Sequence, residues 1–175
     1  DSVTYTLSGL ANPALGWGGG DETGSFMETV ERLGGEHWFR LGDRDLALHV
    51  ERTRRLGEGQ TLSDITTEIA ARLGVKSRIA PMTDDPVRTI VETPDGPLAF
   101  QHYFVREQCR PVVTGFHFAG AAGATPVAAV IAALAGEGPD AIVICPANPF
   151  ISIDPILALP TVRDLLANAT SPVIA

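Results

Sequence analysis

Apolar residues follow two patterns in this chain, helical spacing in the first half and strand-like runs in the second. Between residues 23 and 74 they recur every three or four positions, as at Phe26, Met27, Val30 and Leu33. This spacing predicts amphipathic helices whose apolar stripes form a core. We therefore predict a helical insertion over residues 23–74, closed by Gly74.

After residue 74 short apolar runs alternate with turn residues, which predicts strands and helices in mixed order. The predicted strands are residues 77–82, 87–93, 98–100, 112–118, 141–145 and 171–175. The predicted helices are residues 126–134, 153–158 and 161–168. A helical block followed by mixed strands and a β-α-β order predicts an α/β sheet with a helical insertion.

The predicted organisation has three parts: the start of the core at residues 1–22, the helical insertion at residues 23–74 and the α/β core at residues 75–175. The chain begins with Asp1 rather than methionine, and no apolar strand opens it. Because an α/β domain usually begins with a buried strand, we expect the core to be incomplete at both ends and the chain to be a piece of a longer protein.

Composition excludes several classes of function. A net charge of −8 without a basic stripe argues against a nucleic-acid partner, and no apolar run approaches the roughly 20 residues of a membrane span. The two cysteines and four histidines show no metal-ligand spacing. Two thiols are typical of a reducing, cytoplasmic setting. Ser152 lacks the Gly-x-Ser-x-Gly context of a serine hydrolase.

The predicted strand at residues 141–145 leads into a loop and then a helix. Pro146 and Pro149 turn the backbone out of strand geometry, and Ser152 or Asp154 is predicted to cap the helix. A strand, a tight loop and a helix N-terminus in this order commonly hold a phosphate or a nucleotide in α/β proteins. An ordinary strand-to-helix connection has the same pattern, so both interpretations stay open.

Carboxylates supply the other candidate chemistry. Their hard oxygens suit Mg²⁺, which takes one or two protein ligands and completes its shell with water and phosphate. A neighbouring arginine, Arg40 or Arg44, could neutralise a phosphate or dock a polar ring. The alternative is a helix capped by Asp43, with surface ion pairs and solubilising turns. The candidate carboxylates are Asp1, Asp43, Asp45, Asp84 and Asp85.

Four short segments occur in order along the chain: Leu41-Gly42-Asp43-Arg44-Asp45, Pro81-Met82-Thr83-Asp84-Asp85-Pro86, Phe100-Gln101 and Asn148-Pro149-Phe150-Ile151-Ser152-Ile153. Together they resemble motifs of the 2-phospho-L-lactate transferase family of coenzyme F-420 biosynthesis. Each segment alone is weak evidence, but the ordered set is specific, and the resemblance covers the whole chain.

The resemblance implies a Mg²⁺-dependent transferase with a Rossmann-like, three-layer core. Members of the family move a phospho-organic-acid group from a GDP-linked donor to the side-chain hydroxyl of the deazaflavin Fo, and they release GMP. The acid is phospholactate, phosphoenolpyruvate or phosphoglycerate, and this sequence does not distinguish them. The implied partners are these small molecules and, because the family is usually dimeric, a second copy of the chain.

The resemblance also implies roles for individual residues. Asp1 matches an aspartate near the metal and the Fo side chain, which makes it the implied catalytic, substrate-binding and metal-binding residue. Arg40 occupies a basic position associated with Fo binding. The other implied substrate-binding residues are Asp43, Arg44, Thr83, Asp84, Asn148 and Ser152, of which the last two are expected to approach the nucleotide or its phosphates.

The chain also departs from the family pattern. The family begins with a strand, a glycine-rich loop and an acidic segment that supplies another metal-binding or basic aspartate, and this sequence contains none of them. We therefore expect most of the phosphate-binding and catalytic constellation to lie outside these 175 residues, and we expect these residues alone to be inactive. The alternative function is a non-catalytic, nucleotide-binding regulator of the same fold. The Gly-Asp-Arg-Asp and Thr-Asp-Asp-Pro motifs favour the transferase.

Overall fold

The computed structural model describes residues 2–12, 19–135 and 139–175, and it confirms the α/β class. The chain divides into two compact units, one ending at Ile79 and the other running from Ala80 to Ala175. None of the helices in the described ranges is long and apolar enough to cross a membrane.

The first unit is helical where the sequence has helical spacing. Its helices are α1 (Ser2–Ser8), α2 (Ser25–Arg32), α3 (Asp43–Gly57) and α4 (Leu62–Arg72). Thr61 caps α4, because its side-chain oxygen accepts the backbone N–H of Asp64 at 3.2 Å. Ile65 and Ala70 are buried and lie on the inner face of the same helix.

The apolar stripe predicted on α2 is only partly buried. Met27 is 8% exposed, whereas Phe26 and Leu33 are 52% and 83% exposed. Periodicity predicts which side chains share a face, but it does not say how much of that face another element covers. The prediction that the whole stripe belongs to the core is therefore wrong.

The second unit combines two small sheets with short helices. Strand β1 (Arg88–Glu92) lies between β2 (Leu98–Ala99) and β3 (Gly115–Ala119) and is antiparallel to both. Strand β4 (Ile142–Val143) pairs in parallel with β5 (Val173–Ile174), as predicted for residues 171–175. The helices are α5 (Ala128–Leu134), α6 (Asp154–Leu157) and α7 (Pro160–Ala167), with π-helical turns at His102–Arg106 and Pro149–Ile153 and a 3₁₀ turn at Ala121–Gly123.

Small and branched side chains form the core of the second unit. Leu159 and Val162 are buried almost completely and pack with Ala121 and Ala124. Phe118 of β3 is one of the partly buried residues that surround this cluster. The cluster therefore joins the three-stranded sheet to the helical layer that contains α5 and α7.

Two predicted strands differ from the structure. Residues 77–82 form no strand, since Pro81 lacks the N–H that a ladder requires and β1 already has a neighbour on each side. The predicted strand at residues 141–145 shrinks to two residues, and Val143 is 60% exposed. Among the described residues only β5 pairs with it, so the prediction of a strand buried on both faces is wrong.

Candidate functional site

Asp43 connects the start of α3 to the start of α2. It is the first residue of α3, where Gly42 rather than Asp43 occupies the cap position. Its Oδ2 accepts the Thr23 hydroxyl at 2.6 Å, and its two oxygens accept the backbone N–H groups of Ser25 and Phe26 at 3.2 and 3.0 Å. These bonds, that of Thr23 above all, hold the pKa of Asp43 below its usual range. A substrate contact at Asp43 would therefore compete with a helix cap.

Glu22, which precedes α2 in sequence, caps the start of α3. Its Oε2 accepts the backbone N–H of Arg44 at 2.9 Å, in the first turn of α3, where the amides have no partner within the helix. The guanidinium of Arg44 donates from Nη1 to the carbonyl oxygen of Gly20 at 3.3 Å. Arg44 is thereby held against the segment that contains Glu22.

Asp45 faces inward from α3 and meets α1. The Tyr5 hydroxyl donates to Asp45 Oδ1 at 2.6 Å, and the two residues are 6% and 8% exposed. Burial first, and then the hydrogen bond to Asp45, raise the pKa of Tyr5 well above its usual value of 10. The Tyr5 hydroxyl therefore remains a neutral donor to the buried side chain of Asp45. Elsewhere on α3, burial and the nearby Arg52 lower the pKa of His49.

Replacing Tyr5 with phenylalanine is expected to destabilise the first unit by about 1–3 kcal/mol, because a buried oxygen of Asp45 loses its donor. Urea unfolding followed by tryptophan fluorescence measures the change, because both tryptophans belong to this unit. Because folding raises the pKa of Tyr5, the folded state keeps the proton longer than the unfolded chain, and this contribution should fall as the pH rises above 10.

Tyr103→Phe is the matched control for that substitution. The Tyr103 hydroxyl lies at 3.5 Å from the carbonyl oxygen of Cys109 and is exposed. Its removal is expected to leave the unfolding transition of the second unit, followed by far-ultraviolet circular dichroism, in place. Equal effects of the two substitutions would contradict a structural role for the Tyr5–Asp45 hydrogen bond.

Two cavities lie beside α1 and the start of α3. The first has a volume of about 270 Å³, and apolar side chains make most of its wall: Tyr5, Leu10, Leu48 and Leu73, with Glu22 and Arg44. The second has a volume of about 610 Å³ and a more polar wall that includes Asn12, Asp21 and Arg44. Leu10, Gly20 and Arg44 line both cavities, so the two share a boundary.

The structure brings Arg44 to these cavities but not Arg40. The Arg40 side chain is 59% exposed and forms an ion pair with Glu31 of α2. Arg40 is not among the residues that line either cavity. Of the two arginines predicted to bind substrate, Arg44 therefore lines cavities that a ligand could occupy, whereas Arg40 lies on an exposed surface.

The Thr83–Asp85 turn of the second unit is tied to Thr125. The Thr83 hydroxyl is buried; it donates to the carbonyl oxygen of Thr125 at 2.6 Å and accepts the Asp85 N–H at 3.1 Å. Asp85 Oδ2 accepts the Thr125 N–H at 2.8 Å. Thr83 and Asp85 thus fix the shape of the turn, and the exposed residue between them is Asp84.

Asn148 caps the turn at Pro149–Ile153. Its Oδ1 accepts the N–H groups of Phe150 and Ile151 at 3.0 and 3.3 Å, so the cap is Asn148 rather than Ser152 or Asp154. Ser152 is exposed, and its N–H donates to the Asn148 carbonyl oxygen at 3.0 Å. The N–H groups at the start of this turn already have a protein acceptor, which would have to move away for a phosphate to bind them.

Asp1, the predicted catalytic and metal-binding residue, lies outside the described residues. Within residues 2–12, 19–135 and 139–175, no three His, Cys, Asp or Glu side chains form a group that could hold a metal ion. Asp43, Asp45 and Asp85 already accept hydrogen bonds from protein donors.

Sequence reasoning missed Glu22 and Tyr5 as part of this region. Glu22 is separated from Arg44 by 22 positions, and Tyr5 from Asp45 by 40. Neither pair has a spacing that indicates contact. The only local signal is the position of Glu22 two residues after a run of glycines.

Comparisons with known proteins cover nearly the whole chain. Residues 8–175 match the family model described as 2-phospho-L-lactate transferase CofD. A phosphoenolpyruvate transferase of Streptomyces griseus is 41% identical over 180 residues, which are 99% of this chain and 56% of that protein. A Mycobacterium tuberculosis protein of the same name is 39% identical over 99% of this chain and 54% of its own length. A 2-phospho-L-lactate transferase of Methanosarcina mazei is 36% identical over 99% and 58%.

Solved structures support the fold. The crystal structure of protein BH3568 from Bacillus halodurans superposes with a TM-score of 0.61 at 17% identity, over 98% of this chain and 50% of that one. At this identity the likeness concerns the fold alone. The chain spans a little over half the length of the curated relatives it matches. It belongs to the 2-phospho-L-lactate transferase CofD family, as its ordered motifs predicted.

Proposed function

We propose that the protein containing this chain is a transferase of coenzyme F-420 biosynthesis. It moves a phospho-organic-acid group from a GDP-linked donor to the side-chain hydroxyl of the deazaflavin Fo and releases GMP. Family membership over residues 8–175 supports the reaction class. The relatives are named phosphoenolpyruvate transferase and 2-phospho-L-lactate transferase, so both acids, and phosphoglycerate, remain candidates for the donor.

The observation that carries the acceptor assignment is the pair of cavities on either side of Arg44. A deazaflavin has a flat, largely apolar ring system and a polyhydroxy tail. The smaller, apolar cavity suits the ring, since burial of its faces is favourable there. The larger, more polar cavity suits the tail, whose hydroxyls need hydrogen-bond partners.

The proposed reaction is an in-line displacement at the donor's β-phosphorus, which carries the organic acid. A bond forms between the tail oxygen of Fo and this phosphorus, and the bond from phosphorus to the bridging oxygen of GMP breaks. The hydroxyl proton passes to a base, a role that we assign to Asp1. Positioning and charge stabilisation supply most of the rate enhancement in such transfers.

The proposed cofactor is Mg²⁺, with Asp1 as one ligand, and it would offset negative charge on the donor phosphates. Arg44 could serve the same end at the boundary of the two cavities, because a guanidinium donates to phosphate oxygens at two points. We also propose that the active protein is a homodimer in the cytoplasm.

Replacing Arg40 with alanine tests whether the acceptor site extends beyond the two cavities to the basic position that the family resemblance associates with Fo. If Arg40 contacts Fo, the full-length protein should lose about 10- to 100-fold in affinity, the usual effect of removing one charged hydrogen-bond partner. Titration with Fo, followed by intrinsic fluorescence with and without Mg²⁺ and GDP, measures the dissociation constant. Loss of the exposed ion pair with Glu31 should cost little stability.

Arg54→Ala is the matched control, because Arg54 is also an exposed arginine in ion pairs of the first unit. It should bind Fo as the unchanged protein does. Equal affinities for all three proteins would remove Arg40 from the acceptor site. No binding of Fo by the unchanged protein would contradict the proposed acceptor and favour a nucleotide-binding regulator.

A further inference from the structure

One oxygen of the Glu22 carboxylate is buried without a hydrogen-bond partner. Oε2 accepts the Arg44 N–H, but Oε1 is shielded from solvent and has no donor among the described residues. Leaving a buried carboxylate oxygen unpaired is costly, so native structures rarely do so without a reason. Glu22 also lines the apolar cavity, so a small rotation of its carboxylate would present Oε1 to a donor bound there.

Two glycines make the room that the Glu22 carboxylate occupies. A Cβ atom at Gly19 would lie 2.5 Å from Glu22 Oε1. A Cβ atom at Gly42 would collide with Oε2 and with the carboxyl carbon. The backbone therefore leaves space for this carboxylate on both sides, and any larger residue at either position would displace it.

The remaining wall of the cavity defines the chemistry of a ligand. Tyr5, Leu10, Leu48 and Leu73 offer apolar surface, which suits a flat ring rather than a sugar or a phosphate. The unpaired carboxylate oxygen accepts hydrogen bonds only, so it selects a ligand with an N–H or O–H group. Arg44, on the same wall, can donate to a carbonyl oxygen beside that group.

We propose that Glu22 is a specificity-determining residue whose Oε1 accepts a hydrogen bond from a ring N–H of the acceptor substrate. This inference rests on the proposed function and extends it. The end ring of a deazaflavin carries an imide N–H between two carbonyl groups, which matches an acceptor next to a guanidinium. The ring would lie in the apolar cavity, and its imide edge would face Glu22 and Arg44.

Glu22→Gln in the full-length protein tests this assignment. The amide oxygen is expected to keep the Arg44 N–H, which turns the NH₂ group, a donor, toward the cavity. Affinity for Fo should fall by about 10- to 100-fold, because a hydrogen bond to a carboxylate is lost and the ring N–H then faces the NH₂ group of glutamine, which is also a donor. Fluorescence titration with Fo measures the fall, and thermal unfolding should show an unchanged midpoint because the α3 cap is retained.

An Fo derivative methylated at the imide nitrogen cannot donate this hydrogen bond. Combined with Glu22→Gln, it gives a thermodynamic cycle in which both the protein and the ligand are changed. It should bind the unchanged protein about 10- to 100-fold more weakly than Fo does, whereas Glu22→Gln should distinguish the two ligands much less. Glu28→Gln, at an exposed glutamate of α2, is the matched control and should behave as the unchanged protein.

The outcomes separate this inference from the proposed function. Tight Fo binding by the unchanged protein and equal binding by Glu22→Gln would overturn the role of Glu22 and leave the transferase proposal intact. The same methylation penalty in both proteins would also overturn it. No Fo binding by the unchanged protein would overturn the acceptor assignment and this inference with it. A lower unfolding midpoint together with an unchanged methylation penalty would show that Glu22 is only structural.

Discussion

Replacing Asp1 with asparagine in the full-length protein is expected to lower the rate of transfer to Fo by about 10²- to 10⁴-fold, the usual contribution of a catalytic base. An amide has no basic oxygen with which to take the hydroxyl proton, and it is a weaker metal ligand than a carboxylate. Release of GMP from the donor in the presence of Fo measures the rate. Binding of Fo should change much less, because a catalytic base takes up the hydroxyl proton only as the transition state forms.

Asp95→Asn is the matched control for Asp1→Asn. Asp95 lies in the exposed turn between β1 and β2 of the second unit, and its substitution should leave the rate unchanged. Near-normal turnover by Asp1→Asn would remove Asp1 from the reaction. An equal loss of Fo affinity and of rate would instead assign Asp1 to binding.

Replacing Leu159 with alanine is expected to destabilise the second unit by about 2–5 kcal/mol, the range for deleting a large buried aliphatic side chain. Leu159 is 0% exposed and packs with Ala121, Ala124 and Val162. The two alanines are too small to close the resulting cavity. Because both tryptophans precede Ile79, urea unfolding of this unit should be followed by far-ultraviolet circular dichroism.

Ile156→Ala provides the comparison for Leu159→Ala. Ile156 lies three residues earlier and is 39% exposed, so its truncation should cost about 1 kcal/mol or less. A similar loss for both substitutions would show that the cluster around Leu159 is not the main source of stability in this unit.

Helix positions were the part of the fold most accessible from sequence. The cap at Thr61, the glycine at 74 and the proline at 160 mark helix ends in the structure. These signals act between residues close in sequence, so they do not depend on how the rest of the chain packs. The hairpin turn at residues 94–96 is of the same kind, because it joins β1 to β2.

Burial and pairing were not accessible in the same way. An apolar run at residues 141–145 and a short stretch at residues 77–82 both predicted strands, yet one is short and half-exposed and the other is absent. A strand exists only if a neighbour pairs with it, and a face is buried only if another element covers it. Local composition determines neither the pairing of a strand nor the covering of a face.

For the candidate site, the sequence by itself determined the family, the motifs and the types of side chain available. Only the tertiary structure decided which of their atoms are free to act. Asp43 caps α2 instead of its own helix, and Asn148 accepts the N–H of Phe150 in the loop where a phosphate site was one of the two interpretations. Glu22, which no motif contains, keeps an unpaired oxygen beside a cavity. The reason is that hydrogen-bond partners are shared among residues far apart in sequence, so a side chain's availability depends on packing that local sequence does not contain.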